Sequence, residues 1–494
     1  MISGNFRNLF SPYLSLVKKL IVFAFLLVNQ SALFAQTDTT HGAWTLQQCI
    51  DRAYKENILI NQSLLNSNIN ILTLEQSRAN RAPNLNASDA QSFSHGRSVD
   101  PFSNQFVNQD ITSNNASLSS NVTLYNGLQI GNTIRQNQLN YDAGNLDVEM
   151  EKNTIALNVV ADYLQILLSY ELVDNARKQV EGTTAQVDES KKYVDAGKFP
   201  ESNLLQVKSQ LAADKLAVVN AENQLQMAKV ALMQLMELPV TDNFEIVKPE
   251  IGDVKQPEIH VTGDVYKTAE SFLPEIKSAE LKTQSALFGI KIARSQEIPK
   301  LTLGGTIRTG YSSASNRYAS QTIYNQETIG YLQSNNSEIV LGQIPSTVVS
   351  KQNYPFTDQF NDNLNEMISL NLSVPIFNNR LARTAVEKAK VNTEIAKLNE
   401  KGTKTQLRKE VEQAVTDEKA AEKQYIASKE AFTSEEMTYQ NFEKKFDLGL
   451  INSTDLLVEK NNYTKALSNV VTSKYNYLFK IKVVDYYLQK PLTF

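Results

Sequence analysis

The chain has 494 residues, with 49 lysines and arginines against 53 acids, a net charge of −4 and no basic block, so the electrostatic footprint of a nucleic-acid binder is missing. A single cysteine, Cys49, excludes an internal disulfide framework and a multi-cysteine metal site, and His41, His95 and His260 stand too far apart in sequence to suggest a ligand cluster. No Walker loop, nucleophile elbow or zinc-protease helix occurs, and acid pairs such as Asp188-Glu189 and Glu435-Glu436 fall on helix faces where solvated surface is the ordinary role; no enzyme, catalytic residue, metal or cofactor is expected.

Arg7, Lys18 and Lys19 precede the apolar run Leu20 to Val28, and Ala32-Leu33-Phe34-Ala35 supplies small residues near a cut, which marks 1–35 as a secretory signal peptide. The run is too short for a spanning helix, which needs roughly 20 residues. From Thr45 to Arg81 the apolar positions Leu46, Ile50, Ala53, Ile58, Leu64-Leu65, Ile69 and Leu72 recur at helical spacing, with Thr45 as the cap and Pro83 beyond the end. A strand from Leu85 to Phe93, a polar loop from Ser94 to Asn114 and a strand around Leu118 to Tyr125 form a hairpin. A long helix follows, turning at Gly197. The returning helix carries Leu204, Leu211, Val218, Leu225 and Leu232 seven apart.

Residues 240–260 read as an irregular linker, and the pattern then starts again. Val261 to Ile298 is the second helix, Pro299 its end, and Leu301, Leu303, Ile307 and Tyr311 the apolar set of a strand; Ser312 to Asn365 is a loop. Ser369 to Ile376 alternates polar and apolar as the closing strand. Asn378 to Leu448 then holds no proline and one glycine, which predicts a helix of roughly 68 residues and about 100 Å. After Gly449, Leu456, Tyr463, Val470, Tyr477 and Val484 again fall seven apart, so both copies predict coiled-coil packing.

The stretch from Ser117 to Pro239 therefore recurs from Ser369 to Pro491 at an offset of 252 without a gap, keeping Val122, Asn126, Asp195, Gly197 and Leu204-Leu205 as Val374, Asn378, Asp447, Gly449 and Leu456-Leu457. Pro83 and Pro299 are only 216 apart, so the second loop carries 36 extra residues. The repeats are 36–239 and 261–494. The fold class is mainly α with a small β portion, a duplicated strand, long helix, turn and helix. Four strands with one apolar face each cannot close alone, and in lipid only a closed barrel of about eight strands or more is stable, which calls for several copies. Phe93, Phe102, Phe106, Tyr125, Tyr311, Tyr318 and Phe377 are candidate interface girdles, although any single one is more often a packing residue.

The exported start, the helix opening Thr45-Leu46-Gln47-Gln48-Cys49-Ile50, the junction Val374-Pro375-Ile376-Phe377-Asn378 and the turns Asp195-Ala196-Gly197-Lys198 and Asp447-Leu448-Gly449-Leu450 together resemble the TolC family of outer-membrane efflux channels. Gly96-Arg97-Ser98-Val99-Asp100-Pro101 is similar to the variety found in the Bacteroidetes branch. The resemblance implies a homotrimer in the cell outer membrane, with a 12-stranded β-barrel in the lipid and a coiled-coil tunnel in the periplasm. It implies an exit duct that passively conducts drugs or other toxic solutes and docks on a periplasmic adaptor and an inner-membrane pump. A type I protein secretion channel is the alternative, and a periplasmic adaptor or coiled-coil stalk the non-channel one. By the same resemblance Ala196, Gly197, Lys198, Leu448, Gly449 and Leu450 are adaptor-docking turns, and Asp455 narrows the entrance. The second acid of that constriction falls at Val458, and the first-copy counterpart of Asp455 is Asn203. The residue types alone allow plainer roles, a helix cap for the glycines and stabilisation of a helix start for Asp455.

Overall fold

The computed structural model describes residues 42–99, 104, 106–108, 110–249, 260–332 and 335–492. The signal peptide 1–35, His41, Asp100, Pro101, Phe102 and the linker segment 250–259 lie outside the described residues. In chain order the elements are α1 (Leu46–Glu56), α2 (Ile58–Ala79), β1 (Asn86–Ser94), β2 (Arg97–Val99), β3 (Phe106–Asn108), β4 (Ile111–Asn126), α3 (Gln129–Asp195), α4 (Glu201–Leu235), α5 (Thr262–Phe272), α6 (Pro274–Arg294), β5 (Lys300–Ser312), β6 (Arg317–Leu332), β7 (Asn335–Gln352), α7 (Phe356–Asp362), β8 (Asn365–Ser373), α8 (Leu381–Asp447) and α9 (Ser453–Tyr487). The long helices α3 and α8 are each 67 residues, and α4 and α9 each 35, starting at matching positions of the two copies.

Two expectations change. The helix from Thr45 to Arg81 is broken, because Asn57 is extended (ψ 130°) and its side-chain oxygen accepts from the N–H of Leu59 at 2.9 Å, starting α2 afresh. The second copy breaks at the equivalent Leu273 (ψ 133°), since Pro274 disfavours a helical residue before it yet suits a first helical position. Thr45 does cap α1, exchanging side-chain hydrogen bonds with the backbone and side chain of Gln48 at 3.3 and 2.9 Å. The polar segments are also not plain loops. Ser94 to Asn114 contains β2, β3 and the first residues of β4, and Ser312 to Asn365 contains the hairpin β6–β7 and α7. Hydroxyl and β-branched residues with few charges suit a ladder as well as a loop, and the alternation there is too weak to read.

Two compact units are described separately. In the first, residues up to Ala53 with Val159–Asp253, Trp44 pairs parallel with Ile246, its N–H reaching Glu245 O at 2.8 Å and its carbonyl accepting from Val247 at 2.9 Å. The linker thus contains a backbone-paired segment. Cys49, Val160, Tyr163, Leu232, Met233 and Phe244 are buried here, and burial pushes the Cys49 thiol up to about 12, an inert thiol. Lys229, also buried, pairs with Glu245 at 2.9 Å. Along α4, Leu232 of the heptad series is buried while Leu204, Leu211, Val218 and Leu225 are half-buried.

The second unit, Tyr54–Asn158 with Val254–Leu492, holds an antiparallel sheet of order β1-β4-β5-β8. The helices that enter and leave those strands are joined in the same order by side-chain hydrogen bonds. Ser67 of α2 bonds Asn145 of α3 at 2.7 Å, Ser285 of α6 bonds Asn140 of α3 at 2.6 Å, and Thr393 of α8 donates to Ala286 O of α6 at 3.1 Å. A Cβ on Gly144 would lie 2.7 Å from Asn70 Nδ2, so glycine is what allows α3 that near to α2. The apolar core sits farther along, where Val265, Leu273 and Ile276 meet Leu407, Val411, Val415, Val484 and Tyr487.

Candidate functional site

Both long-helix turns end in the same device. Gly197 (φ 69°) donates to Val194 O at 2.9 Å and Lys198 to Tyr193 O at 2.9 Å; Gly449 (φ 72°) donates to Phe446 O at 2.8 Å and Leu450 to Lys445 O at 2.9 Å. These are paired Schellman caps, and the positive φ accounts for glycine at each. A Cβ on either glycine would meet nothing within 4 Å, so the surface beside it is open. Leu448 and Leu450 are 73 and 70% exposed, two leucines at one tip with nothing over them. At the other, Ala196 is exposed and Lys198 sits over the Tyr193 ring at 5.4 Å.

Asp455 is exposed in the first turn of α9, and its N–H donates to the Asn452 side chain at 2.9 Å, which caps the helix. Val458 is exposed as well, while Glu459 turns into the seam with α8, where burial and then the Glu435 carboxyl that it hydrogen-bonds hold it above the usual carboxylate range. Asn203 is half-buried, its N–H bonded to Pro200 O at 3.0 Å. The structure places Asp455, Val458 and the Gly449 turn on one helical hairpin, and Asn203 beside the Gly197 turn in the other unit. Among the described residues no group of three His, Cys, Asp or Glu side chains is disposed to hold a metal.

Sequence reading missed Glu418. It is buried between α8 and α9, where desolvation and then the carboxylates of Asp485 and Glu422 push it up to about 7. A lone acid in a helix of many charges carries no signal of burial until the partner face is known.

The sheet has two unlike faces. Register puts Leu118 opposite Ile307, Val122 opposite Leu303, Leu303 opposite Leu370 and Leu301 opposite Leu372, so these side chains with Ile368 share one face. Ile368, Leu370 and Leu372 are 84, 63 and 66% exposed, an apolar surface facing solvent in a single chain. The other face carries Ser88, Ser117, Asn121, Thr302, Thr306, Ser369 and Asn371, with Met367 opposite Thr306, and a Cβ on Gly304 there would lie 2.9 Å from Asn121 Oδ1. Tyr125 flanks one end of the apolar face. At the other end Tyr311 packs on Phe356 of α7 at 5.3 Å, and buried Gln359 holds α7 by bonding both backbone groups of Ser312, at 2.9 and 3.0 Å. The aromatics of the girdle expectation divide: Phe93 and Tyr311 stand on the sheet, Phe106 and Tyr318 on the hairpins beyond it. Strands β1 and β8 each pair on one side only.

The sequence profile of outer membrane efflux proteins matches residues 71–237 and 265–480. The pyoverdine export outer membrane protein OpmQ of Pseudomonas putida is 27% identical over 199 residues, 40% of this chain and 41% of that protein. An uncharacterized protein of Haemophilus influenzae is 22% identical over 269 residues, 52% of this chain and 54% of its own. The chain thus spans about half the length of the curated relatives it matches. Among solved structures, VceC of Vibrio cholerae superposes with a TM-score of 0.71 at 14% identity over 91% of this chain and 97% of that one, and CusC with 0.70 at 16% over 92% and 96%. The CmeC outer membrane channel of Campylobacter jejuni gives 0.69 at 17% over 92% and 90%. Such identities speak for the fold. On the profile match, which covers both copies, the chain belongs to the outer membrane efflux protein family.

Proposed function

We infer that three copies of this chain form the outer-membrane exit duct of a tripartite efflux system, conducting small molecules passively and docked through its helix turns on a periplasmic adaptor and an inner-membrane pump. The observation that carries this reading is the pair of open edges. Among the described residues strands β1 and β8 are unpaired outward, and the helix attached to each bears an apolar stripe that no described residue covers. On α2 it is Leu65, Ile69 and Leu72, 61, 59 and 63% exposed; on α8 it is Val391, Ile395 and Leu398, 60, 50 and 67% exposed. Pairing β8 of one copy with β1 of the next lays α8 along the neighbour's α2 and covers both stripes at once. Three copies then close a barrel of 12 strands, apolar face to lipid, with no edge left. The export role named for OpmQ favours small solutes over secreted proteins. Light scattering of detergent-extracted protein, corrected for bound detergent, should give three chains; a monodisperse monomer overturns the duct.

A further inference from the structure

The four strands of the sheet contain only four charged residues, and their signs are sorted by face. Asp89 and Glu366 lie on the face that carries Leu118, Leu303 and Leu370, at the end of its apolar band, where Glu366 stands directly opposite Ile307, whereas Lys300 and Arg308 lie on the hydroxyl and amide face. Arg308 is flanked across the ladder by Ser117 and Asn365, and Lys300 by Asn126 and Ser373, so neither has an acid beside it on its own face. Both are exposed, and among the described residues neither makes an ion pair. Eight residues of strand separate them, about 27 Å. In a barrel with its apolar face to lipid, the lumen is therefore lined by uncharged residues, mostly hydroxyls and amides with Met367 among them, and by two rings of cations, Arg308 toward the hairpin end and Lys300 toward the helical end.

We propose that the barrel section of the duct selects for anionic solutes, carboxylates, sulfonates or phosphates, through these rings of Arg308 and Lys300. This rests on the duct reading above. A ring of like charge in a narrow, low-dielectric wall raises the local concentration of the opposite ion and excludes its own sign. Ser117, small and directly across the ladder, leaves the guanidinium free to reach into the passage.

Planar-bilayer recordings across a potassium chloride gradient test it. Arg308→Gln and Lys300→Gln should each move the reversal potential toward that of potassium, the double variant farther than either, and Arg308→Lys should leave it in place. Arg308→Cys should shift in opposite directions when modified by a cationic and by an anionic thiol reagent, Cys49 being buried and inert. Unchanged reversal potentials in conducting double variants, or no difference between the two reagents, overturn the anion selection and leave the duct standing. A wild-type trimer that conducts nothing overturns the duct itself, and the inference with it.

Discussion

Glu418 makes the stability of the helical hairpin sensitive to pH. Its carboxyl stays protonated up to about pH 7 in the fold, whereas an unfolded glutamate ionises near 4.3. A raised folded pKa means that the stabilising contribution is complete below the unfolded value and is lost as pH rises through the folded one. For a residue this deeply buried the loss is on the order of 3 kcal/mol. Glu418→Gln should therefore lose less stability between pH 5 and 8 than the parent does; thermal unfolding of both across that range checks it, and parallel curves assign the effect to another group. Asp455 belongs to the same scale. As an entrance constriction, Asp455 predicts that Asp455→Ala moves the reversal potential toward that of chloride in single-channel recordings, opposite in sign to neutralising Arg308, and an unchanged potential leaves it only the helix start that Asn452 caps. Asp455 was legible because a first-turn acid after a glycine is a local pattern. Glu418 was not, since its environment is made by residues some 65 positions away on α9.

At the scale of elements, the turns and the edge helices carry separate functions and separate tests. The Gly197 and Gly449 turns have open space around them, so a side chain there meets the positive φ rather than a neighbour, a cost of about 1 kcal/mol each. The double variant Gly197→Phe, Gly449→Phe should keep its trimer and its place in the outer membrane but lose efflux; normal drug export in it rules out docking at these tips. Val391→Lys with Ile395→Lys should instead weaken the proposed trimer, seen as a monomer fraction in detergent, because it would bury two charges in the stripe that this trimer sets against a neighbour's α2. Length and turn position of the long helices were legible from absent prolines and paired glycines, and the four sheet strands from alternation. The break at Asn57 was not, because a single asparagine in a helical pattern shows itself as a cap only where its side-chain oxygen takes the N–H of Leu59, two residues on.

Across the whole molecule, the first repeat does without the ribbon that fills the second repeat's extra 36 residues. Replacing 317–352 with a short glycine-serine link should leave trimer mass and conductance intact, and a variant that no longer closes would show that the ribbon holds the barrel. That insertion also shows where this architecture tolerates changes of length. The two copies have diverged in most positions, yet α3 and α8, and α4 and α9, still match to the residue. Losing one residue inside α8 would turn everything beyond it by about 100° and draw it back about 1.5 Å against α9, carrying Tyr425 off the Tyr477 ring it stacks on at 6.1 Å. A seven-residue change restores the face but moves the Gly449 turn by about 10 Å, out of line with the docking proposed for it. Heritable variation in length is thus channelled into the strand-to-strand connections, which in the proposed duct face the cell's outside, where it would change what strangers encounter and leave the parts within the envelope in step.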